Sequence, residues 1–228
     1  LSLWYEGECC CLFSDSNLGK SIYAVQIATD IAKKQRVIYF DLELSDKQFQ
    51  LRYTDDNGII YEFPPNFYRA EIDQDALTTA NFEDSIIADI ESAVVKTSAR
   101  VIIIDNLTYL CNSSEKGDAA GILMMRLVQL KRKYNLSILV IAHTPKRPLS
   151  APITQNDLAG SKKLYNFFDS VFAIGKSAKD ENIRYVKQVK CRYGAFEYDS
   201  ENVILYSIEK TDSFLHFQFM DYVTEREH

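Results

Sequence analysis

The segment Ser14-Asp15-Ser16-Asn17-Leu18-Gly19-Lys20-Ser21 constrains this chain more than any other. It matches the phosphate-loop pattern G-x-x-x-x-G-K-[ST] except at the first position, where Ser14 stands for glycine. Such a loop works because successive backbone N–H groups curl around phosphate oxygens. The Lys reaches the β/γ-phosphates and the hydroxyl of the last residue ligates Mg²⁺. The flanks fit. Glu8 to Phe13 is a short apolar run, as in a buried parallel strand, and Ile22, Val25, Ile27, Ala28, Ile31 and Ala32 recur at helical spacing. Strand, tight loop and helix in that order put Gly19 and Lys20 at a helix N-terminus, where the dipole and free N–H groups favour an anion. The expected cradle is therefore Ser14, Asp15, Ser16, Asn17, Leu18, Gly19, Lys20, Ser21 and Ile22, its ligands ATP and Mg²⁺, with Ser21 on the metal. A glycine at the first position would allow φ > 0, which a serine adopts only at a cost.

The rest of the chain alternates in the same way. Strands are expected at Arg36–Leu42, Val101–Asp105 and Leu136–Ala142. Helices are expected at Ser45–Tyr53 (Ser45 as N-cap), from Asn81 or Glu83 to Lys96, and from about Ala119 to Tyr134. Residues 55–79, with Pro64-Pro65 and many aromatics, read as an irregular surface excursion or a short edge pairing. Asp157–Asn166 reads as helical or irregular. Ser170–Ile174, Ile183–Lys190, Val203–Glu209 and Phe214–Met220 read as successive strands. The expected fold is a single α/β domain, a mostly parallel sheet flanked by helices, with antiparallel strands at the C-terminal edge.

Composition sets outer bounds. At 228 residues with 46% hydrophobic side chains, the chain can bury a sizeable core. A net charge of −6 argues against a surface coated in nucleic acid while leaving room for a local basic groove. The five cysteines do not form a disulfide framework: Cys9, Cys10 and Cys11 alternate faces of a strand, and Cys111 and Cys191 stand apart. Reduced core cysteines and a cytoplasmic setting are expected, with no membrane span. The first residue is Leu1 rather than Met, as in a piece of a longer protein.

Strand ends supply the remaining candidates. Asp105 ends the most apolar strand, where a carboxylate can hold Mg²⁺ or simply cap a turn. Glu43 follows the second strand and can orient a water as general base, or be a solvated loop charge. His143 ends the strand Leu136–Ala142 and can read a γ-phosphate or be structural. Lys190 and Arg192 lie two apart on an extended segment, and read either as a basic exposed face or as groups reaching a neighbouring subunit's phosphate.

Together these pieces resemble the RecA-fold ATPases, and within them the ring-shaped replicative helicases of the DnaB and plasmid RepA type. The likeness runs from Leu12 to about Tyr206. It rests on Asp41-Leu42-Glu43-Leu44-Ser45 leading to Gln48 and Leu51-Arg52, on Ile102-Ile103-Ile104-Asp105-Asn106-Leu107, on Ile141-Ala142-His143, on Asn156-Asp157-Leu158-Ala159-Gly160-Ser161, and on Lys190-x-Arg192-x-Gly194. It implies Glu43 as catalytic base, Asp105 as a Mg²⁺ residue, His143 as γ-phosphate sensor, and Lys190 and Arg192 acting on an adjacent protomer's nucleotide. It further implies a homo-oligomeric ring, a hexamer, threading single-stranded DNA in the replication or mobilization of a plasmid or mobile element. The pore loops would fall at about 112–121 and 146–160. Lys116, Lys146, Arg147, Lys162 and Lys163 are then the basic nucleic-acid candidates. The alternatives are a nucleotide-binding regulatory module with weakened catalysis, motivated by Ser14 and Asp15, and a recombinase-like strand-exchange ATPase.

Overall fold

The structure is a computed structural model. It describes residues 2–71, 82–107, 119–144, 151–158 and 162–228, without the side chains of 82, 83, 119, 162 and 163. The elements run β1 (Cys9–Ser14), α1 (Lys20–Ala32), β2 (Val37–Asp41), α2 (Asp46–Arg52), β3 (Phe67–Glu71), α3 (Phe82–Thr97), β4 (Val101–Asp105), α4 (Ala119–Tyr134), β5 (Ser137–His143), α5 (Lys162–Tyr165), β6 (Ser170–Lys176), β7 (Ile183–Cys191), β8 (Val203–Thr211) and β9 (Phe214–Val223). The strands form one sheet of order β3-β2-β4-β5-β1-β6-β7-β8-β9. The pairings from β3 through β6 are parallel, and those of β7, β8 and β9 are antiparallel.

Strand alternation builds two cores. Cys9, Cys11, Phe13, Ile38, Phe40, Ile102 and Ile104 face α3 and α4. Cys10, Leu12, Tyr39, Ile103 and Ile141 face α1 and the C-terminal strands. Because both faces of the central strands are covered, β1, β2 and β4 read as unbroken apolar runs and are buried throughout. The cysteine triplet is packing material: burial pushes the Cys9 thiol up to about 12 and those of Cys10 and Cys11 well above their ordinary value.

The region after α2 is an edge pairing with a core of its own. β3 pairs in parallel with β2. Phe49, Tyr53, Tyr61, Phe63 and Phe67 form an aromatic cluster that takes in Phe214 from the β8–β9 hairpin. Aromatic content without clean periodicity concealed this in the sequence, since the partners lie some 150 positions apart (roughly, from Phe63 to Phe214) and burial comes only with the hairpin. The expected stretch 157–166 resolves into a 3₁₀ turn, Gln155–Asp157, and α5.

The hairpin also closes on α1. The Gln26 amide clasps the Phe217 backbone, donating to its carbonyl at 3.1 Å and accepting from its N–H at 2.8 Å. No helix among the described residues is long and apolar enough to cross a membrane.

Candidate active site

Parallel strands β2, β4, β5 and β1 are neighbours, so their carboxyl ends share one edge of the sheet. Ligands of open α/β sheets bind at that edge. The phosphate loop leaves β1 there. Its left-handed residues are Asn17 (φ 63°) and Gly19 (φ 94°). Ser14 is instead the last residue of β1, extended, fully buried and in register with His143. The conformational cost expected of a serine at the first loop position therefore does not arise, because that position still belongs to the strand.

Gly19 is required twice over. Its φ lies in the left-handed region, and a Cβ there would meet the Phe217 ring at 2.9 Å. Lys20 opens α1 and folds back over the loop. Its Nζ donates to the Asp15 carbonyl at 2.9 Å, the Ser14 carbonyl at 3.1 Å and Ser14 Oγ at 3.3 Å. Burial pulls its ammonium down to about 8, against the carboxylates of Asp105, Glu43 and Asp15 that hold the proton on. Asp15, the acid in an anion-binding loop, has Oδ1 turned to Thr144 Oγ1 at 2.5 Å.

Glu43 stands at the head of the β2–α2 connection. Asp41 shapes that turn by accepting the Glu43 N–H at 3.1 Å and the Leu44 N–H at 2.9 Å on one oxygen. Its other oxygen takes Arg69 Nε at 3.1 Å, and Arg69 also bonds the Leu44 carbonyl and Asp46. The Glu43 carboxylate meets the Asn106 amide, and His143 Nε2 at 3.3 Å, while Asn106 and His143 are 2.9 Å apart. The His143 hydrogen bond holds the Glu43 carboxyl below its ordinary value, with Lys20 and Asn106 adding to it and partial burial opposing. Glu43 is thus ionised at neutral pH and aimed by two neighbouring strand ends.

Asp105 is buried. Burial pushes its carboxyl up to about 6, opposed by the Ser21 and Tyr39 hydroxyls. Tyr39 donates to Oδ2 at 2.5 Å. The Ser21 hydroxyl stands near enough to favour the charged form, yet Oδ1 is buried with no completed hydrogen bond. An orphaned carboxylate oxygen beside a hydroxyl is a hard-oxygen donor set that suits Mg²⁺. A cleft of about 470 Å³ opens over these groups, lined by Gly19, Lys20, Ser21, Glu43 and His143, and also by Arg52 and Ile208.

Lys190 and Arg192 lie elsewhere. Cys191 pairs with Ser170, which pairs with Cys10 near the start of β1. Four residues of strand, about 13 Å, separate that level from the end of β1 where the loop begins. Lys190 donates to the Tyr165 carbonyl at 2.9 Å and lies over the Tyr165 ring. Arg192 bonds Asp169 at 2.6 Å. Lys116, Lys146 and Arg147 fall outside the described residues, as do most of the expected pore loops. Lys162 and Lys163 begin α5, with side chains undescribed.

The profile of a family described as the AAA domain matches residues 2–148, which span the loop, Glu43, Asp105, Asn106 and His143. The chain belongs to the AAA domain family. Its fold is that of the RecA/KaiC-type P-loop ATPases. A KaiC-like protein of Pyrococcus horikoshii superposes with a TM-score of 0.68 at 13% identity, over 94% of this chain and 91% of that one. The DNA repair protein RadA of Streptococcus pyogenes is 25% identical over 79% of this chain and 36% of its own length. That of Streptococcus pneumoniae is 24% identical over 79% and 38%. The chain thus spans little more than a third of the curated relatives it matches. Around the cleft of this AAA domain stand also Asn106, Asp41 and Arg52, which lie in the quoted motifs with no role read for them, and Tyr39 and Arg69, on which the sequence is silent. Asn106 carried a further signal, directly following Asp105 at a strand end.

Proposed function

We propose that this AAA domain is an ATP-hydrolysing motor module that acts on single-stranded DNA as a homo-oligomer. The observation that carries the reading is the convergence of Lys20, Ser21, Asp105, Glu43 and His143 from four strand ends on one cleft. Ser21 and Asp105 would hold Mg²⁺, which when bound supplies charge neutralisation at the transferred phosphoryl group. Lys20 exchanges its carbonyl partners for phosphate oxygens. Glu43, ionised and fixed by Asn106 and His143, orients a water and accepts its proton. Lys190 and Arg192 sit too far from their own loop to serve it, so in this reading they act on a neighbouring copy, in a ring of the helicase type. The relatives named DNA repair proteins favour a second reading, a strand-exchange ATPase, and electron microscopy of the ATP-bound assembly separates a closed ring from a filament.

The deciding measurement is ATP turnover with and without single-stranded DNA, on protein of measured solution mass. DNA should stimulate turnover. Glu43→Gln should lower it by about 10²–10⁴-fold with nucleotide binding kept, and Lys20→Ala should lose both. An oligomer that binds ATP tightly without turnover would instead be a regulatory module. Turnover indifferent to DNA would sink the motor reading.

A further inference from the structure

β9 is an edge strand of the sheet, and it bears on two distant parts of the molecule. The Phe217 ring abuts Gly19 of the phosphate loop, and the Gln26 amide of α1 clasps the Phe217 backbone. These contacts lie on the α1 face. Eight positions further on, just past the strand, Glu225 bonds Ile153 and Tyr185, which belong to the core on the α3 and α4 face. The alternation of a strand lets one segment serve both faces, and about 26 Å of extended chain separates the two contacts.

Glu225 forms a built seat. Its side chain is buried. One oxygen accepts the Ile153 N–H at 3.0 Å and the Tyr185 hydroxyl at 3.1 Å, and the other accepts Lys187 Nζ at 2.6 Å. Lys187 Nζ also donates to the Ile153 carbonyl at 2.9 Å. One buried ion pair thus holds both backbone polar groups of Ile153, whose side chain lies in the core. Tyr185 is fixed in turn, since a Cβ at Gly175 would stand 2.1 Å from its ring and glycine leaves the room it needs. The Glu225 N–H adds a bond to the Ser200 carbonyl at 2.7 Å.

An ion pair so buried carries a desolvation cost that an apolar pair would not, and its best-attested use is to fix register. What it fixes here is Ile153. In sequence, Lys146 and Arg147, two of the expected nucleic-acid residues, stand between His143 and Ile153. The strands β5, β1, β6 and β7 are successive neighbours, so three strand spacings, about 14 Å, separate the strand of His143 from that of Lys187. About ten residues can reach roughly 33 Å. Chain length therefore does not set where the connection from His143 lands, and the seat does.

We infer that β9 couples the phosphate loop to the segment 151–158, with Glu225 and Lys187 as positioning residues at its far end, so that nucleotide binding and single-stranded DNA binding reinforce one another through the C-terminal hairpin. This rests on the DNA-motor reading above and adds a route to it. The route bypasses His143 and Glu43 and lies within one chain.

Fluorescence anisotropy of a labelled oligodeoxythymidine tests it, with Mg²⁺, in the presence and absence of a non-hydrolysable ATP analogue. The quantity read is the ratio of the two DNA affinities. Lys187→Met together with Glu225→Gln removes both charges, so neither is left buried and unpaired. This paired variant should cut the ratio by about fivefold or more, the low end of ordinary coupling between sites, with nucleotide affinity in the absence of DNA kept within about twofold. Gln26→Leu, which releases the near end of the strand, should cut the ratio too, and it carries the comparison if the paired variant melts early. Combining all three changes should cut it no further than either set alone, because both lie on one route. A merely structural pair would lower the melting temperature and leave the ratio unchanged. That result, additive losses, or an unmodified chain whose DNA affinity ignores nucleotide would each overturn the inference while the DNA-motor reading stands. An unmodified chain that binds no single-stranded DNA in either state would overturn both.

Discussion

At the scale of single residues, the departure from the loop pattern turns out to be mild. Ser14 sits in β1 with strand geometry, and its hydroxyl donates to the Asp15 carbonyl at 2.9 Å. Ser14→Gly would remove that bond and add backbone freedom to the unfolded chain. It should cost about 0.5–1 kcal/mol of stability, read by urea unfolding, while nucleotide affinity changes by no more than a few-fold. A switch from inert to robustly active would show that Ser14 had disabled the site. Glu43 shows the complementary case. Its position after a strand was visible in the sequence, but its orientation depends on Asn106 and His143, 63 and 100 positions away. No local pattern reports such a meeting, because strand order is set by tertiary packing on both faces of the sheet rather than by neighbours in the chain.

At the scale of elements, the loop and helix α1 depend on the hairpin that covers them. Gly19 is where the two meet: its left-handed backbone lets the loop turn into α1, and its missing side chain admits Phe217, with Ile208 next in line, 3.1 Å from where a Cβ would stand. Gly19→Ala should therefore destabilise by about 1–3 kcal/mol from the strained backbone alone, and more if the hairpin lifts. Calorimetric melting gives the total. Adding Phe217→Ala relieves the contact but not the φ, so a double variant as stable as Phe217→Ala alone would show that backbone strain was unimportant. The glycine was legible from the motif. The second demand on it was not, since Phe217 arrives from 198 residues downstream across an antiparallel extension whose curl no local periodicity encodes (about 200 residues of separation, a loop-closure cost that only the assembled sheet offsets).

At the scale of the whole molecule, burying charge beneath the site should set a pH signature. Asp105 has its carboxyl raised from 3.8 to about 6 by burial. An acid with a raised pKa binds its proton more tightly folded than unfolded, so its contribution to stability is greatest below 3.8 and falls as pH rises to about 6. Urea unfolding of the unmodified chain, compared with Asp105→Asn, should show a difference that grows in the variant's favour across that window and levels off above it. A difference independent of pH would mean that Asp105 titrates normally. The cost is one that Mg²⁺ bound at Asp105 would offset, since a cation favours the ionised carboxylate. In the proposed reading the buried charge serves the site rather than the stability of the fold.

The phosphate loop, the apolar runs of β1, β2, β4 and β5, the Ser45 N-cap of α2 and the change to antiparallel strands could all be read from the sequence. Each is encoded within a few residues by spacing, turn chemistry or unbroken hydrophobicity. Tertiary structure alone decided which strand ends meet. It brought Asn106 between Glu43 and His143, carried β9 over Gly19, packed the aromatics of 53–67 against Phe214, and left Arg52 facing the cleft beside the phosphate loop. It also set Lys190 and Arg192 well away from the phosphate loop of their own chain. The physical reason is the same each time: strand order and hairpin curl arise from packing two apolar faces at once, and that balance is struck between residues far apart in the chain.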